Sequence, residues 1–162
     1  MKTLNAYATF IADGVERIVE AALIVLMPVL TVVVVAQVVA RYVIKQPLSW
    51  SEELSRYMLV WVVYLGMSVA IRRRGHMGFT VFRERLSPKL GRMLVFVSEV
   101  IIGVVLVYLL ACGFRVSIAN MTQNSPGLGI PMALAYGAVP IGALAGLIQL
   151  VPLIFDSFNG NC

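Results

Sequence analysis

The order of apolar and polar residues divides the chain into four long hydrophobic runs joined by short polar connections. The first, 18–44, is interrupted only by Glu20, Gln37 and Arg41 near its ends. The second covers 50–71, the third covers 88–120 with Glu99 inside it, and the fourth, 131–155, carries no charge. A hydrocarbon core of ~30 Å needs about 20 helical residues at about 1.5 Å each, so every run predicts a transmembrane helix. The third is longer than a bilayer requires, which predicts protruding first turns or a tilt.

Local signals mark the helix starts. Ser49 followed by Glu52 fits a capping box, with Pro47 just upstream, and Ser87-Pro88 reads as an N-cap and first helical residue. The stretch 120–131 is rich in Asn, Gly and Pro and predicts a loop opening the fourth helix. Within that helix Pro140 predicts a kink, and Ala138, Gly142 and Gly146 form a ridge of small residues that permits close helix approach.

Composition agrees with the pattern. Of the 162 residues 60% are hydrophobic and 13% charged, against about 25% charged in ordinary soluble domains, so the solvent for this surface is lipid. The fold class is therefore an all-α integral membrane protein with four transmembrane helices in one membrane domain, 1–162. The formal charge of +5 does not indicate nucleic acid, because the basic residues cluster between two apolar runs. Arg72, Arg73, Arg74, Arg83, Arg85, Lys89 and Arg92 lie in or beside the second connection, and the flanking connections hold few. The positive-inside rule places this connection, and with it both termini, in the cytoplasm. The basic residues then serve as topology determinants or contacts for anionic lipid headgroups, and bound phospholipid is expected there. The N-terminus lacks the pattern of a cleaved signal peptide, and Cys112 and Cys162 read as free thiols.

Candidate chemistry is sparse. His76 is the single histidine, so bis-histidine haem ligation within one chain is excluded. No spacing of His, Cys and carboxylates suits a metal, and no nucleotide or hydrolase motif occurs, so neither a cofactor nor an enzyme is expected. Glu99 can be a proton or cation ligand, an interhelical hydrogen-bonding group, or a residue near the interface. Glu20 and Arg17 read as an interfacial pair.

The second helix is the richest element. Glu52 and Glu53 precede Arg56 by four and three residues, so either acid can pair with it on one face. Trp50, Tyr57, Trp61 and Tyr64 recur near helical spacing beside that patch. One reading is an interfacial belt in which the charges snorkel into water. The other is a polar clasp, Glu52, Glu53 and Arg56, that contacts a neighbouring helix or partner, with Trp50, Tyr57 and Trp61 packed beside it.

In this order and spacing, Trp50-Ser-Glu-Glu53 with Arg56, Trp61 and Gly66, then Arg72 to His76, then Ser125, Ile130-Pro131, Tyr136 and Val139-Pro140 resemble a known family. The chain is similar to the small membrane subunit of tripartite ATP-independent periplasmic (TRAP) transporters over nearly its whole length. One departure is Pro126-Gly127-Leu128-Gly129, more glycine-rich than in many relatives. The resemblance implies a bacterial inner-membrane complex in which a large multi-span permease subunit holds the substrate and sodium sites and moves as an elevator. A periplasmic substrate-binding protein would deliver an organic acid such as a C4-dicarboxylate or sialic acid. The chain itself would be a non-catalytic brace for the scaffold of the large subunit. The alternative is a stand-alone four-helix exporter coupled to protons, for which Glu20 and Glu99 are the candidate acids.

Overall fold

The computed structural model describes residues 2–46, 48–73 and 88–158. Helix α1, Lys2–Val39, runs on into a π-helical turn, Ala40–Ile44. Helix α2 spans Ser49–Arg72, α3 spans Pro88–Ala119, the short α4 spans Ala133–Tyr136, and α5 spans Ala138–Phe158. Four segments among the described residues are long and apolar enough to cross a membrane, 7–44, 49–72, 93–119 and 133–155.

Helix α1 starts well before the apolar run at 18, because Asp13, Glu16 and Glu20 recur on one face and find partners on α2. Pro28 lies within it without ending the helix. Pro88 is the first residue of α3, where its missing N–H would have had no helical partner anyway.

The expected capping box at Ser49 does not form. The residue before α2 is Leu48, in extended conformation and without a side-chain cap, while the Ser51 hydroxyl donates to the Leu48 carbonyl at 2.7 Å. The predicted kink at Pro140 is also corrected. The interruption lies at Gly137, between α4 and α5, and Pro140 falls in the first turn of α5, where no hydrogen bond is lost.

Helix α5 is the hub. It packs against α2, α3 and α1, whereas α1 packs on α2 and α5, and α3 on α5 and α4. Burial follows that order: 56% of the fourth apolar window is buried, against 6% of the first and 11% of the third. One core layer joins Ile71, Leu106, Ala143, Leu150 and Leu153, and a second joins Val19, Leu65 and Ala145.

Close approach explains the small residues. A Cβ on Gly142 would fall 2.7 Å from Tyr64 Cβ and 2.8 Å from the Tyr64 carbonyl oxygen, so backbone meets backbone there. One turn on, a Cβ on Gly146 would meet Leu106 at 3.2 Å and Ile71 at 3.3 Å, and Ala138 is fully buried. Gly113 of α3 makes the matching approach to Val139 and Pro140, each 2.9 Å from its would-be Cβ. Such contacts gain dispersion energy that lipid tails cannot supply equally once two helices are this near.

Candidate functional site

The polar groups of α2 gather at its two ends, and each end fastens a different neighbour. At the Ser49 end, Glu53 points along the face that looks toward the connection between α3 and α4. That connection closes on itself through three backbone bonds: Ser125 N–H to Ile130 C=O and Gly129 N–H to Ser125 C=O, both 2.9 Å, and Met132 N–H to Gln123 C=O, also 2.9 Å. Gly129 adopts φ +68°, a left-handed conformation that disfavours side chains.

The tight turn leaves the amides of Gly127 and Leu128 pointing outward in parallel, and Glu53 Oε2 accepts both, at 2.8 and 3.0 Å. Tyr57 donates its hydroxyl to Glu53 Oε1 at 2.7 Å from one turn along the helix, and the buried Ser125 hydroxyl is a further partner. Successive backbone amides aimed at one carboxylate form an anion nest, here filled from within the chain. The fit leaves no room for a side chain on the turn, since a Cβ on Gly127 would lie 2.6 Å from Glu53 Oε2. Two turns further along α2, the Trp61 indole N–H donates to the Leu134 carbonyl at 3.0 Å. Helix α2 thus holds the 120–137 connection at two points.

Glu52 turns away from Glu53 and pairs with Arg41. The π-turn makes this possible. Gln46 N–H bonds back to Ala40 C=O at 3.1 Å, and Lys45 closes the turn in the left-handed region at φ 59°. The wider turn carries Arg41 round to the start of α2.

Arg56 therefore has neither acid. The pairing of Arg56 with Glu52 or Glu53 within the helix, read from the sequence, is replaced by Arg41–Glu52 and by Glu53 on the turn, and Arg56 is exposed, with no ion pair among the described residues. The reason is competition: one guanidinium at helical spacing is set against two amides and a phenol already in place. Trp50 is largely exposed, and Tyr57 and Trp61 are half-buried in the contacts just described.

At the opposite end Arg72 pairs with Asp13 and, at 3.6 Å, with Glu16. Arg73 bridges Glu16 at 3.4 Å and also pairs with Glu20. Glu20 is thus the partner of Arg73 and not of Arg17. Arg74, Arg83 and Arg85 lie outside the described residues. On α3, Glu99 is buried and accepts from the Ser157 hydroxyl of α5 at 2.9 Å, so of its three readings the structure supports the interhelical one. Gln149 of α5 is fully buried, and neither its Nε2 nor its Oε1 has a hydrogen-bond partner among the described residues. Sequence reasoning passed over Gln149 and Gly113, and gave Arg41 and Ser125 no partner. A lone amide in an otherwise apolar helix was the one available signal for Gln149.

Among the described residues no group of three or more His, Cys, Asp or Glu side chains could hold a metal ion. What the arrangement does chemically is fix helices and a connection to one another.

Residues 30–160 match the family described as the DctQ component of tripartite ATP-independent periplasmic transporters. The chain is similar to the sialic acid TRAP transporter small permease protein of Vibrio cholerae, 26% identical over 90% of this chain and 83% of that one. It is also similar to the C4-dicarboxylate TRAP transporter small permease protein of Rhodobacter capsulatus, 27% identical over 67% of this chain and 48% of that one. A shorter likeness, 42% identical over 57 residues, joins 35% of this chain to 9% of the sialic acid TRAP transporter permease protein of Haemophilus influenzae.

Proposed function

The chain belongs to the family of the DctQ component of TRAP transporters, and from that premise we propose that it works as a rigid brace for a large permease subunit. The observation that carries the reading is the fastening of α2 at both ends. Glu53 and Trp61 tie it to the 120–137 connection, while Arg72 and Arg73 tie it to α1. A frame held at both ends resists shear between its helices, which suits a stationary support beside a moving neighbour. The acids Glu52 and Glu53 of α2 are both engaged in internal contacts.

In this reading the substrate and sodium sites lie in the large permease subunit, the cargo is an organic acid, and a periplasmic binding protein delivers it. The small permease relatives serve sialic acid and C4-dicarboxylate transporters, which supports the cargo class. The complex resides in the bacterial inner membrane with Arg72 and the basic connection toward the cytoplasm, as the distribution of cations supports. Arg74, Arg83 and Arg85 then meet anionic headgroups. The 41–50 and 120–131 connections face the binding protein.

Reconstitution tests the reading. Liposomes holding this chain and its large subunit are expected to take up the organic acid when binding protein and a sodium gradient are supplied, and to stop when this chain is withheld. Uptake by the large subunit alone at the full rate, or gradient-driven transport by this chain alone, would refute it. Orientation is read separately, by labelling a cysteine at Lys45 in intact cells and in inverted vesicles.

A further inference from the structure

Helix α2 has three faces. Glu53, Tyr57, Trp61, Tyr64 and Ser68 look toward the 120–137 connection and α5. Leu65 and Val69 pack with Val19 of α1. The remaining face steps by four and three residues through Arg56, Leu59, Val63, Gly66 and Ala70, which keeps them in line on an α-helix. This chain leaves the first part of that line uncovered: Arg56 is exposed and Leu59 and Val63 are 52% and 56% exposed, while Gly66 and Ala70 are half-buried and a Cβ on Gly66 would meet nothing within 4 Å.

We propose that this stripe is the seat of a membrane-spanning helix of the large permease subunit, one that brings a carboxylate to Arg56 and a bulky apolar side chain to the notch at Gly66. The inference rests on the bracing role above and names where the brace is attached. Two observations select this face, and a third bears on the partner. Arg56 lies seven residues past Ser49, about 10 Å into the helix at 1.5 Å per residue, and both nearby acids are engaged elsewhere. A guanidinium at that depth calls for an anion. By contrast Arg115, an exposed cation of α3, sits one turn from its helix end, within reach of headgroups.

The second observation concerns glycines. On α3 both Gly103 and Gly113 face inward, onto Leu150 and onto Val139 and Pro140, whereas Gly66 opens outward. Gly14 of α1 opens outward too, but precedes the apolar run that starts at 18. A helix stripe that pairs a cation with an open small-residue notch fits a helix better than an acyl chain, which offers neither a carboxylate nor a fixed knob. Third, a segment similar to part of this chain, 42% identical over 57 residues, lies inside a far longer permease protein, of which it makes up 9%, so similar segments exist joined to a permease.

The test uses the complex of this chain with its large subunit. A photo-crosslinking residue is placed at Val63, and in separate variants at the exposed Val35 of α1 and Val104 of α3. The expected result is an adduct at Val63 alone that mass spectrometry identifies as the large subunit. Gly66→Leu, whose Cβ would meet nothing within 4 Å in this chain, is expected to lower recovery of the large subunit by about tenfold while thermal unfolding of the isolated chain stays unchanged. Arg56→Gln should do the same, and Arg56→Lys should restore part of it.

Adducts of the large subunit at Val35 or Val104 but not Val63 overturn the seat and leave the bracing role standing. Loss of bound anionic phospholipid from Arg56→Gln with unchanged recovery of the large subunit assigns the stripe to lipid and likewise overturns it. Failure of the wild-type pair to co-purify would refute the bracing role itself.

Discussion

Glu53 and Gly127 meet across 74 positions of sequence, carboxylate oxygen to amide nitrogen at 2.8 Å. Leu128 lies 3.0 Å from the same oxygen, so one side chain orients a whole turn of the connection. Charge-assisted bonds of this kind are stronger than neutral ones and sharper in direction. The connection is consequently pinned to α2 at this turn.

Removing the carboxylate should free the turn. In Glu53→Ala, hydrogen exchange at Gly127 and Leu128 is expected to speed up by about tenfold or more, with α5 unaffected. Glu53→Gln keeps an acceptor and should fall between. Gly127→Val, whose Cβ would collide with Glu53 Oε2, should match the alanine variant. Unchanged exchange in all three would mean that the turn holds itself.

Two glycines should respond with opposite sign. Gly142→Ala forces a Cβ into the Tyr64 backbone and is expected to cost about 1–3 kcal/mol. Gly14→Ala adds a Cβ into open space within α1 and should stabilise by about 0.5–1 kcal/mol through reduced freedom of the unfolded chain. Thermal unfolding in one detergent compares them, and equal shifts would contradict the packing described.

The two arginines at the end of α2 should differ although they are neighbours. The Arg72 side chain is 16% exposed and that of Arg73 65%. Arg72→Gln leaves Asp13 and the mostly buried Glu16 short of a partner and should cost about 1–3 kcal/mol, whereas Arg73→Gln should cost below about 1 kcal/mol. The same unfolding measurement ranks them, and the reverse order would show that exposure does not govern these pairs.

Gln149→Met should raise stability by about 1 kcal/mol, because the amide is fully buried without partners among the described residues and methionine has a similar shape. A loss of stability would reveal that the amide is bonded in the membrane, by water or by a group beyond the described residues.

The four apolar runs were legible because a bilayer imposes length and hydrophobicity on each span separately, and a window of residues reports both. The neighbours of Gly142 and Gly146 were not, since spacing shows a ridge but not what lies across it. The acids of α2 were misjudged for the same reason. Helical spacing brought Arg56 within reach of Glu52 and Glu53, but the rule covers only contacts inside one helix. The winning partners came from a π-turn that no periodicity announces and from a connection over seventy residues away. The three readings of Glu99 stayed open because its partner, Ser157, lies on a helix that spacing in α3 cannot report.

The hub position of α5 has a bearing on how the protein is made. This helix leaves the ribosome after α1, α2 and α3, yet it is the neighbour common to all of them. The earlier spans must wait in the bilayer with their inner faces unmatched, then settle together when the last one inserts. A nascent chain halted at Gly137 is expected to be degraded in pulse-chase labelling, while separate synthesis of 138–158 in the same cell should rescue it.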